Sequence, residues 1–148
     1  MKKGAIFDMD GLLFDTESLY QRAWTMVADD FGVERKPELG KACSGTTGDL
    51  MERIVHEYHP TVDAKAYIRR VVACVHDEME KSLTVMAGVH EILAYFREQG
   101  VRMATASSSS VAQIEQNLRK SGLRDYFDVV VGGDLVIHGK PAPDIFLL

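Results

Sequence analysis

Apolar residues change rhythm along the chain, and the changes divide it into elements. The run Gly4-Ala5-Ile6-Phe7, closed by Asp8, is continuously apolar rather than alternating. A strand covered on both faces reads this way, as strands of parallel sheets do. Met9 to Thr16 carries Asp10, Gly11 and Asp15 and reads as a loop. Helical spacing follows in Leu19, Ala23, Val27 and Phe31, with Asp15 or Thr16 to cap the start and Gly32 to end it. Pro37 and Gly40 interrupt. Thr46-Thr47-Gly48-Asp49 has the form of a capping box before Leu50, Ile54 and Tyr58. After Pro60, Asp63 caps a long helix with Tyr67, Ile68, Val71, Val72, Val75 and Met79 on one face. Residues 17–87 therefore read as all helix.

The rhythm then alternates. Val89, Ile92, Leu93 and Phe96 predict a helix that stops at Gly100, and Val101 to Ala106 reads as a strand. Ser107 to Ser110 lead into a helix with Val111, Ile114 and Leu118, ended near Gly122, and Asp128 to Val131 is a third strand. Helix, strand, helix, strand is the order of an α/β protein with a parallel sheet and right-handed crossovers. The expected organisation is an α/β core of residues 1–16 and 88–148, with a helical insert, 17–87, placed just after the first strand. There it would stand over the carboxyl ends of the strands, where open α/β sheets bind ligands.

Composition narrows the partners. The 148 residues are 46% hydrophobic and 26% charged, the profile of a globular protein. A net charge of −5 without basic clusters argues against nucleic acid. No apolar run approaches the roughly 20 residues of a membrane span, and the apolar stretch after Lys2 and Lys3 breaks at Asp8, unlike a secretory signal. Cys43 and Cys74 cannot build a disulfide framework, so a reducing, cytoplasmic setting is expected. The five histidines show no metal-ligand spacing. His56 and His59 precede Pro60 and read as solvated surface, Trp24 and the cysteines as packing, and Arg69-Arg70 as a solvated face.

Candidate chemistry collects at the predicted strand ends. Asp8 and Asp10 stand two apart after strand 1, and two such carboxylates repel unless a cation or a shared proton neutralises them. Thr105 lies at the end of strand 2, with Ala106 and Ser107 behind it, and a hydroxyl with free backbone amides near a helix start suits an anion. Lys140-Pro141-Ala142-Pro143-Asp144 follows strand 3, where the prolines stiffen the surroundings of the lysine and Asp144 can cap the next helix. Two carboxylates, a hydroxyl and a lysine on one sheet edge suit phosphoryl transfer through an aspartate. The carboxylate attacks phosphorus once Mg²⁺ and lysine have offset the charge of an anionic target.

Asp8-Met9-Asp10-Gly11-Leu12-Leu13-Phe14-Asp15-Thr16 resembles motif I of the haloacid dehalogenase superfamily, in its phosphatase and phosphomutase branch. Thr105 stands where the motif II hydroxyl belongs, Lys140 to Asp144 resembles motif III, and the helical insert is similar to the C1 cap of that branch. The resemblance implies a Rossmann-like parallel sheet with a helical cap. It implies a Mg²⁺-dependent phosphatase for a small phosphorylated metabolite of the sugar-phosphate type. Asp8 would be nucleophile and Mg²⁺ ligand. Asp10 would be general acid and base, and would ligate Mg²⁺ through its carbonyl. Thr105, the Ala106 amide, Lys140 and the amides of Met9 and Asp10 would cradle the phosphoryl group, while the cap closes over the substrate and excludes water.

Family members continue to a motif IV, an acidic loop after a fourth strand, and no acidic pair follows motif III before Leu148. The expectation is therefore an incomplete core of three strands whose strand 1 is an open edge, a surface for self-association, and weaker Mg²⁺ binding or a catalytically weak remnant. A phosphomutase of the β-phosphoglucomutase type shares the motifs, but that group carries a cap histidine where Tyr20 stands and a cap arginine near Gly48. Both differences favour hydrolysis. A phosphoacceptor switch of the receiver type fits less well, because no strand between Asp8 and Thr105 offers an acceptor aspartate.

Overall fold

The computed structural model describes residues 3–46 and 48–148. It has β1 (Gly4–Phe7), α1 (Thr16–Asp30), α2 (Pro37–Cys43), α3 (Gly48–Tyr58), α4 (Ala64–Lys81), α5 (Val89–Glu98), β2 (Arg102–Ser107), α6 (Val111–Lys120) and β3 (Val129–Gly132), with short 3-10 turns at Arg124–Tyr126, Gly133–Leu135 and Asp144–Phe146. The α/β class and the parallel sheet are as expected. The chain forms two compact units. One runs to Asp15 and resumes over Leu83–Leu148, and the other is Thr16–Ser82.

In the α/β unit the strands lie in the order β1-β2-β3, both pairs parallel. Phe7 is opposite Thr105, and Ser107 is opposite Gly132, so β2 extends past the end of β1. One sheet face carries the main core: Met103 from β2, Val89 and Leu93 from α5, Ile114 and Leu118 from α6, and Met9, Leu13 and Phe14 from the loop after β1. The opposite face holds a smaller cluster of Ala106, Val131 and Ile145, with Val136 against it. β1 is therefore covered on one face only among the described residues. Ala5 and Phe7 pack on the main core, but Ile6 is 54% exposed, which corrects the expectation of a strand buried on both faces.

The boundary with the helical insert also moves. Residues 83–87 belong to the α/β unit rather than to the helices. The Asp15 amide donates to the Thr84 carbonyl and the Met86 amide to the Leu13 carbonyl, and Phe14 bridges Val85 in antiparallel fashion. Backbone pairing between the outgoing and returning legs is invisible to side-chain periodicity.

The helical unit is built around Tyr67, which is fully buried and donates its hydroxyl to the Trp24 carbonyl at 2.7 Å. Trp24, Phe31 and His59 all lie against its ring. Trp24 is packing, as expected. Pro37 does not interrupt a helix but starts α2, where its missing N–H costs nothing. Gly40 lies inside that helix, because a Cβ there would come within 3.3 Å of the Gln21 backbone on α1. Of the expected capping box, Thr47 lies outside the described residues, and Thr46 donates its hydroxyl back to the Cys43 carbonyl. Asp63 does cap α4, accepting from the Ala66 amide. Cys43 is buried, and burial pushes its thiol up to about 11, so it stays a protonated packing group. Arg70 is paired with Asp30.

His59 departs from its expected place on the surface. It is 4% exposed, and its Nε2 has no partner among the described residues. Burial, with the Lys36 ammonium adding to it and Glu34 opposing, holds its imidazole below the ordinary 6.5. The unfolded chain takes up this proton near pH 6.5 and the folded chain only at lower pH. Stability is thus lost as pH falls below about 6.5, until the folded imidazole itself protonates. Melts followed by circular dichroism should show a lower midpoint at pH 5.5 than at pH 7.5. In His59→Leu that difference should shrink, because the carboxylates held low by partners, Asp29, Glu34 and Glu78, titrate below this window.

Candidate active site

Three parallel strands deliver three segments to one edge of the sheet. Asp8 follows β1, Ser107 ends β2, and Lys140 lies in the segment after β3. The loop after β1 is folded tightly: the Leu13 and Phe14 amides donate to the Met9 carbonyl, and the Gly11 amide donates to the Phe14 carbonyl. Gly11 takes a φ of +72°, a left-handed conformation that glycine reaches without strain. Met9 anchors the loop. Its side chain is fully buried in the main core, and its amide donates to Asp8 Oδ1 at 2.8 Å.

Lys140 reaches across to this carboxylate. Its Nζ lies 3.0 Å from Asp8 Oδ1 and donates to the Ala106 carbonyl at 2.7 Å, so it links the ends of β1 and β2. The Phe146 ring lies 5.5 Å from the same ammonium. The Asp8 side chain is 48% exposed, open to a ligand from solvent.

Asp10 has a different set of partners. Its Oδ2 accepts from the Ser107 hydroxyl at 3.3 Å and from the Ser109 hydroxyl at 3.4 Å, and the Ser109 amide donates to Ser107 Oγ at 3.1 Å. Sequence reasoning did not single out these serines. The reason is strand length: β2 continues to Ser107, one residue past the predicted end, and Ser107 is therefore the hydroxyl that emerges beside Asp10. The run of serines directly after an apolar strand was the available signal.

Thr105 is placed elsewhere. It lies inside β2 opposite Phe7, fully buried, and its Oγ1 has no hydrogen-bond partner among the described residues. Its place is the sheet interior, two residues short of the strand end. Ala106 also lies within the strand, and its visible link to the site is the carbonyl that accepts from Lys140. The structure thus brings together Asp8, the Met9 amide and Lys140, with Asp10 on two serines beside them. Asp144 does not cap a helix but lies 3.0 Å from His138 Nδ1.

Among the described residues no group of three His, Cys, Asp or Glu side chains is arranged to hold a metal ion. The edge offers the half-exposed Asp8 carboxylate and, two residues on, the backbone carbonyl of Asp10. That set fits Mg²⁺, which is usually held by one or two carboxylates, with water and substrate phosphate completing its shell.

A parallel sheet whose edge carries this aspartate pair and a lysine is suited to phosphoryl transfer in an α/β fold. The chain belongs to the haloacid dehalogenase-like hydrolase family, whose sequence profile matches residues 5–148. It is 33% identical over 99% of its length to a "Phosphorylated carbohydrates phosphatase" of Thermotoga maritima, covering 68% of that protein. It is 34% identical over 98% of its length to the fructose-1-phosphate phosphatase YqaB of Escherichia coli, covering 77% of it. A Thermotoga maritima crystal structure named for β-phosphoglucomutase superimposes with a TM-score of 0.78 at 33% identity, over 98% of this chain and 68% of that one. The chain thus spans about two thirds to three quarters of the length of these relatives.

The placement of Thr105 and Ser107 gives opposite expectations for two substitutions. Thr105→Val replaces a buried, unpaired hydroxyl with a methyl group of the same shape. It should leave ligand binding unchanged and raise stability by up to about 1 kcal/mol. Ser107→Ala removes a donor to Asp10 and should weaken any phosphate binding. Urea unfolding and phosphate titration of both variants check this, and a Thr105→Val protein that loses phosphate would return the role to Thr105.

Proposed function

We propose that this chain carries the phosphoryl-transfer centre of a phosphatase for small phosphorylated carbohydrates. The observation that carries the reading is Lys140 Nζ at 3.0 Å from Asp8 Oδ1, with Asp10 two residues away on hydroxyl donors. Two relatives named as phosphatases of phosphorylated carbohydrates and of fructose 1-phosphate support the substrate class.

In this reading Asp8 attacks phosphorus through the oxygen that does not hold Lys140 and the Met9 amide, which both contact Oδ1. The phosphorus–oxygen bond to the sugar breaks, and an aspartyl phosphate forms on Asp8. Asp10 gives its proton to the departing alkoxide and takes one from the water that attacks the aspartyl phosphate, which releases inorganic phosphate. Ser107 and Ser109 orient Asp10 for both transfers. Lys140 offsets the charge that gathers on the phosphoryl oxygens, and its link to the Ala106 carbonyl holds it in place before substrate arrives. Asp8 and Asp10 would hold Mg²⁺, which supplies further charge neutralisation.

The likeness to a structure named for β-phosphoglucomutase keeps a mutase as the second reading. Gly48 speaks against it. Its φ of +57° suits glycine, and an arginine side chain there would be strained. Tyr20 likewise stands where the mutase group has a histidine.

Asp8→Asn keeps the shape of the nucleophile but not its charge, and should lower turnover of fructose 1-phosphate by roughly three orders of magnitude or more. Chelation of Mg²⁺ should abolish turnover of the unmodified chain and readdition restore it. Undiminished turnover by a pure Asp8→Asn sample would remove the mechanism. With β-glucose 1-phosphate and its bisphosphate the chain should release inorganic phosphate. Efficient formation of glucose 6-phosphate would favour the mutase.

A further inference from the structure

The turn after β3 is not absorbed by the reaction. Gly132-Gly133-Asp134 touches no reacting group, yet its backbone is fitted closely against the serine loop. A Cβ on Gly133 would lie 2.5 Å from the Ser108 carbonyl oxygen, 3.0 Å from its carbon and 3.2 Å from Ser108 Cα. A Cβ on Gly132 would lie 2.5 Å from the Val111 amide nitrogen and 2.8 Å from the Ser109 carbonyl oxygen. These are backbone atoms, which cannot swing away as a flexible side chain can.

Hydrogen bonds join the same two segments. The Gly133 amide donates to the Ser109 carbonyl at 2.9 Å, and Asp134 Oδ1 accepts from the Val111 amide at 3.0 Å. Asp134 thereby caps the first turn of α6 from a different strand, while Ser110 caps the Gln113 amide from within the loop. From Ser109 the connection runs on to Ser107, and from both hydroxyls to Asp10.

We propose that the Gly132-Gly133-Asp134 turn is a template that sets the position of the serine loop, and that Asp134 is a positioning residue acting on Asp10 through Ser109 and Ser107. The proposal rests on the phosphatase reading for its effect on rate, but not for its effect on loop geometry. A carboxylate near an anion-binding edge repels the ligand, so it has no direct use in phosphate binding. As a cap on α6 it satisfies an amide that would otherwise be orphaned, and the helix end favours its charge. The requirement is an acceptor oxygen at that point. Asp134→Asn keeps one, and Asp134→Ala does not.

The test compares Asp134→Ala, Asp134→Asn and Gly133→Ala in the 148-residue chain. It follows the amide NMR shifts of Ser107 to Ser109, titration with inorganic phosphate in Mg²⁺, kcat and KM for fructose 1-phosphate, and melting temperature. Misplacing a catalytic group by an ångström costs up to about a hundredfold. Asp134→Ala and Gly133→Ala should therefore displace the serine amide shifts and lower kcat about tenfold or more, with KM changing less. Asp134→Asn should restore both the shifts and kcat to within roughly threefold of the unmodified chain. A purely structural role would lower the melting temperature and leave kcat of the folded molecules unchanged, which overturns the proposal. Asp134→Asn as damaged as Asp134→Ala also overturns it. If the unmodified chain neither hydrolyses the substrate nor binds phosphate, the phosphatase reading has failed. The template is then judged on the amide shifts alone: displaced in Asp134→Ala and native in Asp134→Asn supports it, and native shifts in both overturn it. Should Gly133→Ala fail to fold, the Asp134 pair carries the same decision.

Discussion

The ammonium of Lys140 sits between a carbonyl at the end of β2 and a carboxylate at the end of β1, and the arrangement of the edge follows from that bridge. A carboxylate pair two residues apart on one loop repels itself, and the structure relieves this by giving each member different donors. Asp8 receives an ammonium and a backbone amide on one oxygen. Asp10 receives two hydroxyls. Carboxylates in unlike environments take unlike parts in a reaction, and here the difference follows from parallel strand register. Because Ser107 is opposite Gly132 and lies beyond the end of β1, the serine loop stands beside Asp10, and the segment after β3 can return to Asp8.

Much of this is legible in the sequence, and each departure has its own physical cause. Element types followed from periodicity and caps, so Asp63, Ser110 and Gly100 marked boundaries close to where the structure has them. Asp8, Asp10 and Lys140 were legible because polar residues that interrupt apolar runs stand out. Thr105 was misread because a strand end was placed one residue early. Side chains alternate along a strand, so Thr105 shares a face with Ser107 and is the last hydroxyl on that face if the strand stops at Ala106. His59 was misread because histidine before a proline at a helix end suggests surface, and nothing local reports that Tyr67, eight positions later in the chain, packs on its ring. Residues 83–87 were misread because backbone pairing leaves no trace in hydropathy.

Two buried polar atoms without partners, Thr105 Oγ1 and His59 Nε2, belong to different accounts. The threonine hydroxyl lies in a strand, where a β-branched side chain packs well and valine would serve the same fit. The imidazole fills space against an aromatic cluster, and its cost depends on pH, since the charged form is the one that burial penalises. Neither atom has a hydrogen-bond partner among the described residues, so neither takes part in the bonds of the Asp8–Lys140 pair.

The two halves of the candidate site differ in how firmly they are held. The loop bearing Asp8 and Asp10 is rooted through Met9, Leu13 and Phe14 in the main core, and the serine loop through Ile114 and Leu118 of the helix it starts. Lys140 stands on a segment tied down by Ile145 and Val136 against Ala106 and Val131, a cluster with few members on the less covered face of the sheet. Local opening follows the density of buried apolar contact. The carboxylates are therefore rooted through the denser core, while the lysine is held chiefly by its own bonds to the Ala106 carbonyl and Asp8. Under the proposed phosphatase reading, such a division keeps the Asp8 carboxylate still and sets a fixed cation beside it, where phosphoryl charge would gather. The Phe146 ring, 5.5 Å from the ammonium, adds a cation–π contact to those bonds.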